Sequence, residues 1–371
     1  MTDTDAGTTL AEQPTTGGTP SHVPTTAELE AARPWYQEQL AHGVLRFLEE
    51  RREDCPWCGW HELKTVLRTA DLMQRKPGRF TMDECRTCGH VFQNPRLNVD
   101  GLNFYYKDFY DGLGAHTVEM IFAAHHDIYL DRARMLAPFI TPKNWLDVGT
   151  GYGHFCKDAR EVWPDTTFDG LDMGVAVLEG KARGWLDNIH HGQLPDLWAD
   201  IAHRYDVVSM HHYLEHVRDP RMELDVLSKV VAPGKFLLIE VPDPESVTAR
   251  MFRKLWAPWF QPQHQNLIPC KNLLQALRER GFSPVTVHRA SAHIPVDVTC
   301  AVLSMCTVMG PDPRLPWREP GGKVGELRNT YVWKLAPPLV KAAYKADLKL
   351  APVIRKLDGG NAYRILARRD G

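Results

Sequence analysis

Three sets of residues in this 371-residue chain have the types and spacing that chemistry needs. Cys55-Pro56-Trp57-Cys58-Gly59 and Cys85-Arg86-Thr87-Cys88-Gly89 are matched C-x-x-C-G knuckles. Each knuckle sets two thiolates on a tight turn, and two knuckles complete a four-sulfur tetrahedron for zinc. With no open coordination position, such an ion holds structure and cannot activate water. The second set is Gly149, Gly151 and Gly153, which follow Asp147 in Trp145-Leu146-Asp147-Val148. Glycines at a strand-to-helix turn permit positive φ and let a ligand approach the backbone. Their G-x-G-x-G spacing differs from the G-x-G-x-x-G of dinucleotide binders. The third set is His212-Tyr213-Leu214-Glu215-His216, with His264 further on. An imidazole titrates near neutrality and suits a general base. His216 is the first choice, His264 the second, with Glu215 beside them.

These residues need elements to hold them. The apolar run before Gly149 reads as a buried strand and residues 154–160 continue as a helix. A second strand, 167–173, carries Asp172, nineteen residues past Gly153. An acid at that distance is where a doubly wound fold binds ribose hydroxyls. Strand signals recur at 188–192, 205–210, 235–241, 285–287 and 363–367. Helical spacing separates them at 222–231 and 273–281, which predicts a mostly parallel sheet. Met210 or His211, at the end of the fourth strand, then lines the pocket opened by the glycines. A hairpin of 62–67 with 80–83 would bring the two cysteine knuckles together across the 26 residues between them.

The glycine run, Tyr205-Asp206-Val207-Val208, the Leu214 to Pro220 segment and Pro233-Gly234-Lys235 together resemble class I S-adenosylmethionine (SAM)-dependent methyltransferases. Pro262-Gln263-His264-Gln265-Asn266-Leu267 is similar to a "PxHxN" segment of a bacterial branch that methylates sugars, quinone precursors and other small molecules. The sugar C-methyltransferases of that branch carry an N-terminal four-cysteine zinc module, which Cys55, Cys58, Cys85 and Cys88 match. The resemblance implies a Rossmann-like α/β sheet, a small N-terminal zinc module and a helical C-terminal insertion before the last strand. It implies SAM as methyl donor, held by Asp147, Gly149, Gly151, Gly153 and Asp172, and structural zinc as a second cofactor. It also implies a lid helix before the sheet, so Tyr106 and Tyr110 are candidates to touch the acceptor. The acceptor expected is a hydroxyl or activated carbon of a small molecule, with a sugar, glycan or phosphate-bearing compound among the candidates. Quinone O-methyltransferases bind a divalent ion through E-x-x-E-H, where this chain has His212 in place of the first Glu. The H-x-x-E-H pattern of zinc peptidases also fits residues 212–216, but its place after the fourth strand argues against that reading.

The bulk properties narrow the alternatives. A net charge of −2 does not suit a general polyanion binder. Residues 46–96 hold ten Lys or Arg against eight Asp or Glu, which is not the footprint of phosphate-backbone binding. An RNA methyltransferase and a non-catalytic nucleic-acid-binding zinc protein are the alternatives carried forward. No signal-like opening or apolar span stands out, so the expected compartment is the cytoplasm, where thiols stay reduced. The expected division is a disordered tail over 1–34, the zinc module with a flanking helix over 35–100 and a SAM-binding core over 101–290. A helical insertion over 291–362 and the last strand over 363–371 complete it. From Gly321 to Gly371 there are eleven Lys or Arg against four Asp or Glu, interleaved with apolar residues. That basic amphipathic stretch is expected to hold a phosphate-bearing acceptor, rest on an anionic membrane or cover the sheet edge.

Overall fold

The computed structural model describes residues 23–289, 293–319, 322–357 and 359–371. Most of the expected tail therefore lies outside the described residues. Helix α1 (Thr26–Leu40) begins inside the stretch expected to be tail. The reason is a capping box: Thr25 Oγ1 accepts from Glu28 N, and the Glu28 carboxylate accepts from Thr25 N. Leu29 and Tyr36 then bury against the protein. Strands β1 (Leu63–Thr69) and β2 (Phe80–Cys85) form the expected antiparallel hairpin, with Leu67 opposite Met82. Strand β3 (Val91–Gln93) pairs antiparallel with β2, and helix α2 (Val99–Tyr106) follows behind an Asn98 cap.

Helices α3 (Ala115–Ala123) and α4 (His126–Arg134) lead into the main sheet. It opens with β4 (Asn144–Val148), α5 (His154–Ala159), β5 (Thr167–Asp172), α6 (Ala176–Ala182) and β6 (Asn188–His191). The second half runs α7 (Leu194–Ile201), β7 (Val207–His211), α8 (Pro220–Val230) and β8 (Phe236–Pro242). Strands β4 and β8 are buried on both faces, as a sheet covered by helices on both sides requires. Helix α8 starts where Asp219 accepts from the amides of Arg221 and Met222, with Pro220 in the first turn.

After α9 (Val247–Phe252), the short strand β9 (Asn266–Leu267) leaves the main sheet and pairs with β3. Helix α10 (Cys270–Glu279) and β10 (Phe282–His288) return to it. Helices α11 (Asp297–Met309) and α12 (Gly322–Lys356) occupy the region expected to be a helical insertion, and β11 (Ala362–Arg369) closes the chain. The seven-stranded order is β10-β11-β8-β7-β4-β5-β6, with β11 antiparallel to both neighbours and the β8 to β6 pairs all parallel.

The cysteine module and the sheet share one core. Cys55, Trp57, Cys85 and Phe92 pack in the same apolar cluster as Leu146, Val226 and Leu273. Together with the β3–β9 pairing, this makes the module a built-in part of the fold.

Candidate active site

The ends of β4, β5 and β7 meet at the glycine turn. Gly149 and Gly151 both have positive φ, 74° and 54°. A Cβ on Gly149 would fall 2.6 Å from the Tyr213 ring, whereas one on Gly151 would meet nothing within 4 Å. The turn thus offers bare backbone to open space at Gly151. The Gly151 amide donates to Asp172 Oδ2 (2.8 Å) and the Gly174 amide to Oδ1 (2.7 Å). Each carboxylate oxygen keeps a further lone pair, the arrangement needed to accept from two neighbouring hydroxyls. Burial raises the Asp172 pKa. At Gly153 a Cβ would strike Leu186 at 2.8 Å, so the close packing of the turn after α6 also requires glycine there.

Asp147 lies beneath the turn and accepts from Ser209 Oγ at 2.6 Å, while Ser209 accepts from the Trp145 indole at 2.8 Å. Burial pushes its pKa up to about 7. Strand alternation separates the two pocket candidates at the end of β7. Met210 points into the core with Val148 and Ile239 and is fully buried, so it does not line the pocket. His211 points to the Asp147 side, with Nε2 3.9 Å from Asp147 Oδ1 and its ring edge-on to Phe155. Burial holds its pKa well below the ordinary histidine value. Both of its ring nitrogens are buried without a partner, so it has hydrogen-bonding capacity left for a ligand.

Glu215, His216 and His264 come together as the second part of the site, each offering an atom within 4.8 Å of the others. Tyr106 donates its hydroxyl proton to the Gln263 carbonyl (3.0 Å), so its oxygen accepts from His216 Nδ1 (3.0 Å). That leaves His216 Nε2 as a lone pair, 3.4 Å from the Tyr110 hydroxyl. His264 donates from Nδ1 to the Pro258 carbonyl at 2.7 Å, so its Nε2 is likewise a lone pair, 4.0 Å from Glu215 Oε1. Burial lowers the pKa of His216 and pushes that of His264 down to about 3, keeping both rings neutral. Burial alone would raise the Glu215 pKa, but the hydrogen bond from His212 Nδ1 (2.9 Å) holds it below the usual carboxylate value. Glu215 Oε2 is buried with no partner. Three acceptors therefore converge, and among the described residues only the Tyr110 hydroxyl donates to one of them, His216 Nε2. Burial pushes the Tyr110 hydroxyl pKa well up, and the charges of Glu215 and Asp172 push it the same way.

A buried charge network holds this cluster from behind. His212 bridges Glu215 and Glu240, with Nε2 3.1 Å from Glu240 Oε1. Glu240 also accepts from Arg364 Nε (2.6 Å), from Arg132 Nε (3.1 Å) and from Arg132 Nη2. Sequence reasoning missed this network. Its signal was a charge inside each of two apolar strands, Glu240 in β8 and Arg364 in β11, which face each other in register. The segment of His264 is fixed in turn by its backbone. The amides of Gln265 and Asn266 donate to the Glu215 carbonyl at 2.7 and 3.1 Å. His126 Nδ1 lies 3.1 Å from Asp158, while His125 Nε2 is 3.3 Å from Nε2 of His293, whose ring packs edge-on to His212 at 4.9 Å.

The four cysteines lie on the far side of the β3–β9 joint. The Cys55–Cys88 and Cys58–Cys85 sulfur distances are 3.7 and 3.6 Å, and all four sulfurs lie within 4.8 Å of one another. A tetrahedron with zinc–sulfur bonds of about 2.3 Å has edges of about 3.8 Å, so the four positions fit one ion. Gly59 and Gly89 complete the knuckles at matching φ values of 74° and 76°.

Residues 123–287 match the family model described as a methyltransferase domain. Among similar proteins, the ubiquinone biosynthesis O-methyltransferase of Nitrosospira multiformis is 33% identical over 111 residues, 29% of this chain and 44% of that protein. That of Citrobacter koseri is 37% identical over 98 residues, 25% of this chain and 39% of the relative. The chain thus spans less than half the length of these two relatives. The Bordetella avium protein of the same name is 24% identical over 214 residues, 53% of this chain and 87% of its own length. A SAM-dependent methyltransferase structure from Archaeoglobus fulgidus aligns with a TM-score of 0.41 at 17% identity, covering 66% of this chain and 94% of that one. Residues 123–287 carry the match to a methyltransferase domain. Within it lie the glycine turn, Asp172, Glu215, His216 and His264.

Proposed function

We propose that the chain transfers a methyl group from SAM to a hydroxyl of a small molecule. The observation that carries this reading is the convergence of three acceptors, His216 Nε2, His264 Nε2 and the unpartnered Glu215 Oε2, to which Tyr110 offers a single hydroxyl donor at His216. Converging lone pairs call for a proton donor, and an acceptor hydroxyl supplies one. Methyl transfer from a sulfonium is an in-line displacement that needs position, an effect worth up to about 7–11 kcal/mol, and removal of the hydroxyl proton. A neutral imidazole takes that proton, and the charge of Glu215 stabilises the imidazolium formed. SAM would supply the methyl group, with Gly151 and Asp172 receiving its nucleotide portion and His211 beside them. The similar proteins are O-methyltransferases by name, which favours oxygen over carbon as the methylated atom. A sugar remains one acceptor among several small molecules, and the four cysteines would hold a structural zinc ion.

Single-turnover methylation with His216→Ala and His264→Ala tests the base. We expect one of them to lose about 10²–10⁴-fold in the chemical step while SAM affinity holds. Unchanged chemistry in both removes histidine from the mechanism. The unpartnered Glu215 Oε2 also favours a second reading, a divalent cation at the same three groups. Full activity in a chain stripped of cations other than the cysteine-bound ion rejects it.

A further inference from the structure

The α11–α12 hairpin stands outside the site and carries a surface that methyl transfer does not use. Its inner face is tied at both ends. Asp347 of α12 accepts from the Val298 and Thr299 amides at the start of α11 (both 2.9 Å). At the other end, Asn329 Nδ2 and the Trp333 indole donate to the Gly310 carbonyl at 2.8 and 2.7 Å. The residues of α12 that bury are small or inward-turned: Ala336, Ala343, Asp347 and Ala351. With Asn329 and Trp333 they mark the inner face, and most of the remaining residues of this 35-residue helix are exposed.

Two things lie on that outer surface. Val324, Leu327, Tyr331, Leu335 and Leu339 recur at helical spacing and are 54–79% exposed. The helix also carries eight Lys or Arg against two acids, and one of those acids is the buried Asp347. All eight cations are exposed, and none has a carboxylate within 4 Å among the described residues. Lys323, Lys334, Lys341 and Lys345 follow one another along the face beside the apolar stripe. Met305 and Met309 of α11 add exposed apolar surface at the hairpin tip.

We propose that this hairpin docks the protein on an anionic membrane surface. A lipid headgroup layer accepts both features at once: phosphates meet the lysines, and the apolar stripe enters the headgroup–acyl boundary. A second copy of the chain would bring the same unpaired positive charge against itself. A nucleic acid would leave the apolar stripe in water. No helix among the described residues is long and apolar enough to cross a membrane, so the hairpin lies on the surface. The proposal stands apart from the methyl-transfer reading, because no residue of the candidate active site takes part.

The test is flotation of the full chain with vesicles of phosphatidylcholine alone or mixed with phosphatidylglycerol. We expect binding to the mixed vesicles only, weakening with added salt. At about five-fold per charge, Lys323→Gln, Lys334→Gln, Lys341→Gln and Lys345→Gln combined should reduce partitioning several hundred-fold. Leu327→Ser with Leu335→Ser should weaken it as well, and circular dichroism and melting should show both variants folded. Absence of binding by the folded wild-type chain overturns the proposal. So does equal binding to neutral vesicles. Tighter binding to duplex RNA than to the mixed vesicles, unaffected by the leucine changes, overturns it in favour of a nucleic acid.

Discussion

Glu223→Gln should stabilise this protein, and only above the acid range. Glu223 lies on α8, 4% exposed, and among the described residues its side-chain carboxyl accepts one hydrogen bond, from the Tyr213 hydroxyl at 3.3 Å. Burial pushes its pKa up to about 7, and nearby Asp219 and Asp196 push the same way. The folded chain therefore holds this proton from the ordinary value of 4.5 up to about pH 7, where the unfolded chain has released it. More protons are bound in the folded state across that window, so stability falls as pH rises through it. Two and a half pH units correspond to about 3 kcal/mol. The first turn of a helix returns roughly 0.3–1 kcal/mol to a negative charge, which leaves about 2–3 kcal/mol. Glutamine keeps the shape and the acceptor for Tyr213 but cannot ionise. Urea unfolding of both chains should give nearly equal stabilities at pH 4, and at pH 8 the variant should lead by about 2–3 kcal/mol. A gap independent of pH, or a variant less stable at pH 8, would refute the reasoning. Because Tyr213 rests against Gly149, SAM titration of the same variant shows whether this strain supports the binding turn.

Three further outcomes follow from the geometry. Glu240→Gln leaves Arg132 and Arg364 buried without their shared carboxylate and should cost about 3–5 kcal/mol in denaturant unfolding. Asp172→Ala removes the acceptor pair beside Gly151 and should weaken SAM binding about 10–100-fold by calorimetry, with little change in melting temperature. Cys58→Ser should abolish the bound zinc measured by elemental analysis. It should also lower the melting temperature of the whole chain, because the module shares its core with the sheet. A separate low-temperature transition, with the main one unmoved, would contradict that shared core.

Much of the main sheet was legible in the linear pattern. Buried parallel strands read as apolar runs between helical spacings, so β4, β5, β7 and β8 fell where expected. The matched knuckles also announced their hairpin. The start of α1 was missed although its Thr25 and Glu28 capping pair was present. Which way Met210 and Gly153 face was not legible, because strand alternation turns Met210 into the core and Leu186, four residues past α6, closes over Gly153, while a motif marks only a neighbourhood.

The sequence by itself determined the glycine-turn half of the candidate site, because Gly149, Gly151 and the end of β5 depend on local backbone freedom and on strand-length spacing. Only the tertiary structure decided the other half. Tyr106, Glu215, His216 and His264 come from three separate stretches of chain, and β9 brings His264 in by leaving the main sheet for the cysteine module. Their protonation is also a tertiary property: burial makes the histidines neutral, and His212, itself held by Glu240, keeps Glu215 charged. No spacing rule encodes a desolvation or a contact across such sequence distance, since both depend on what the rest of the fold packs around each group.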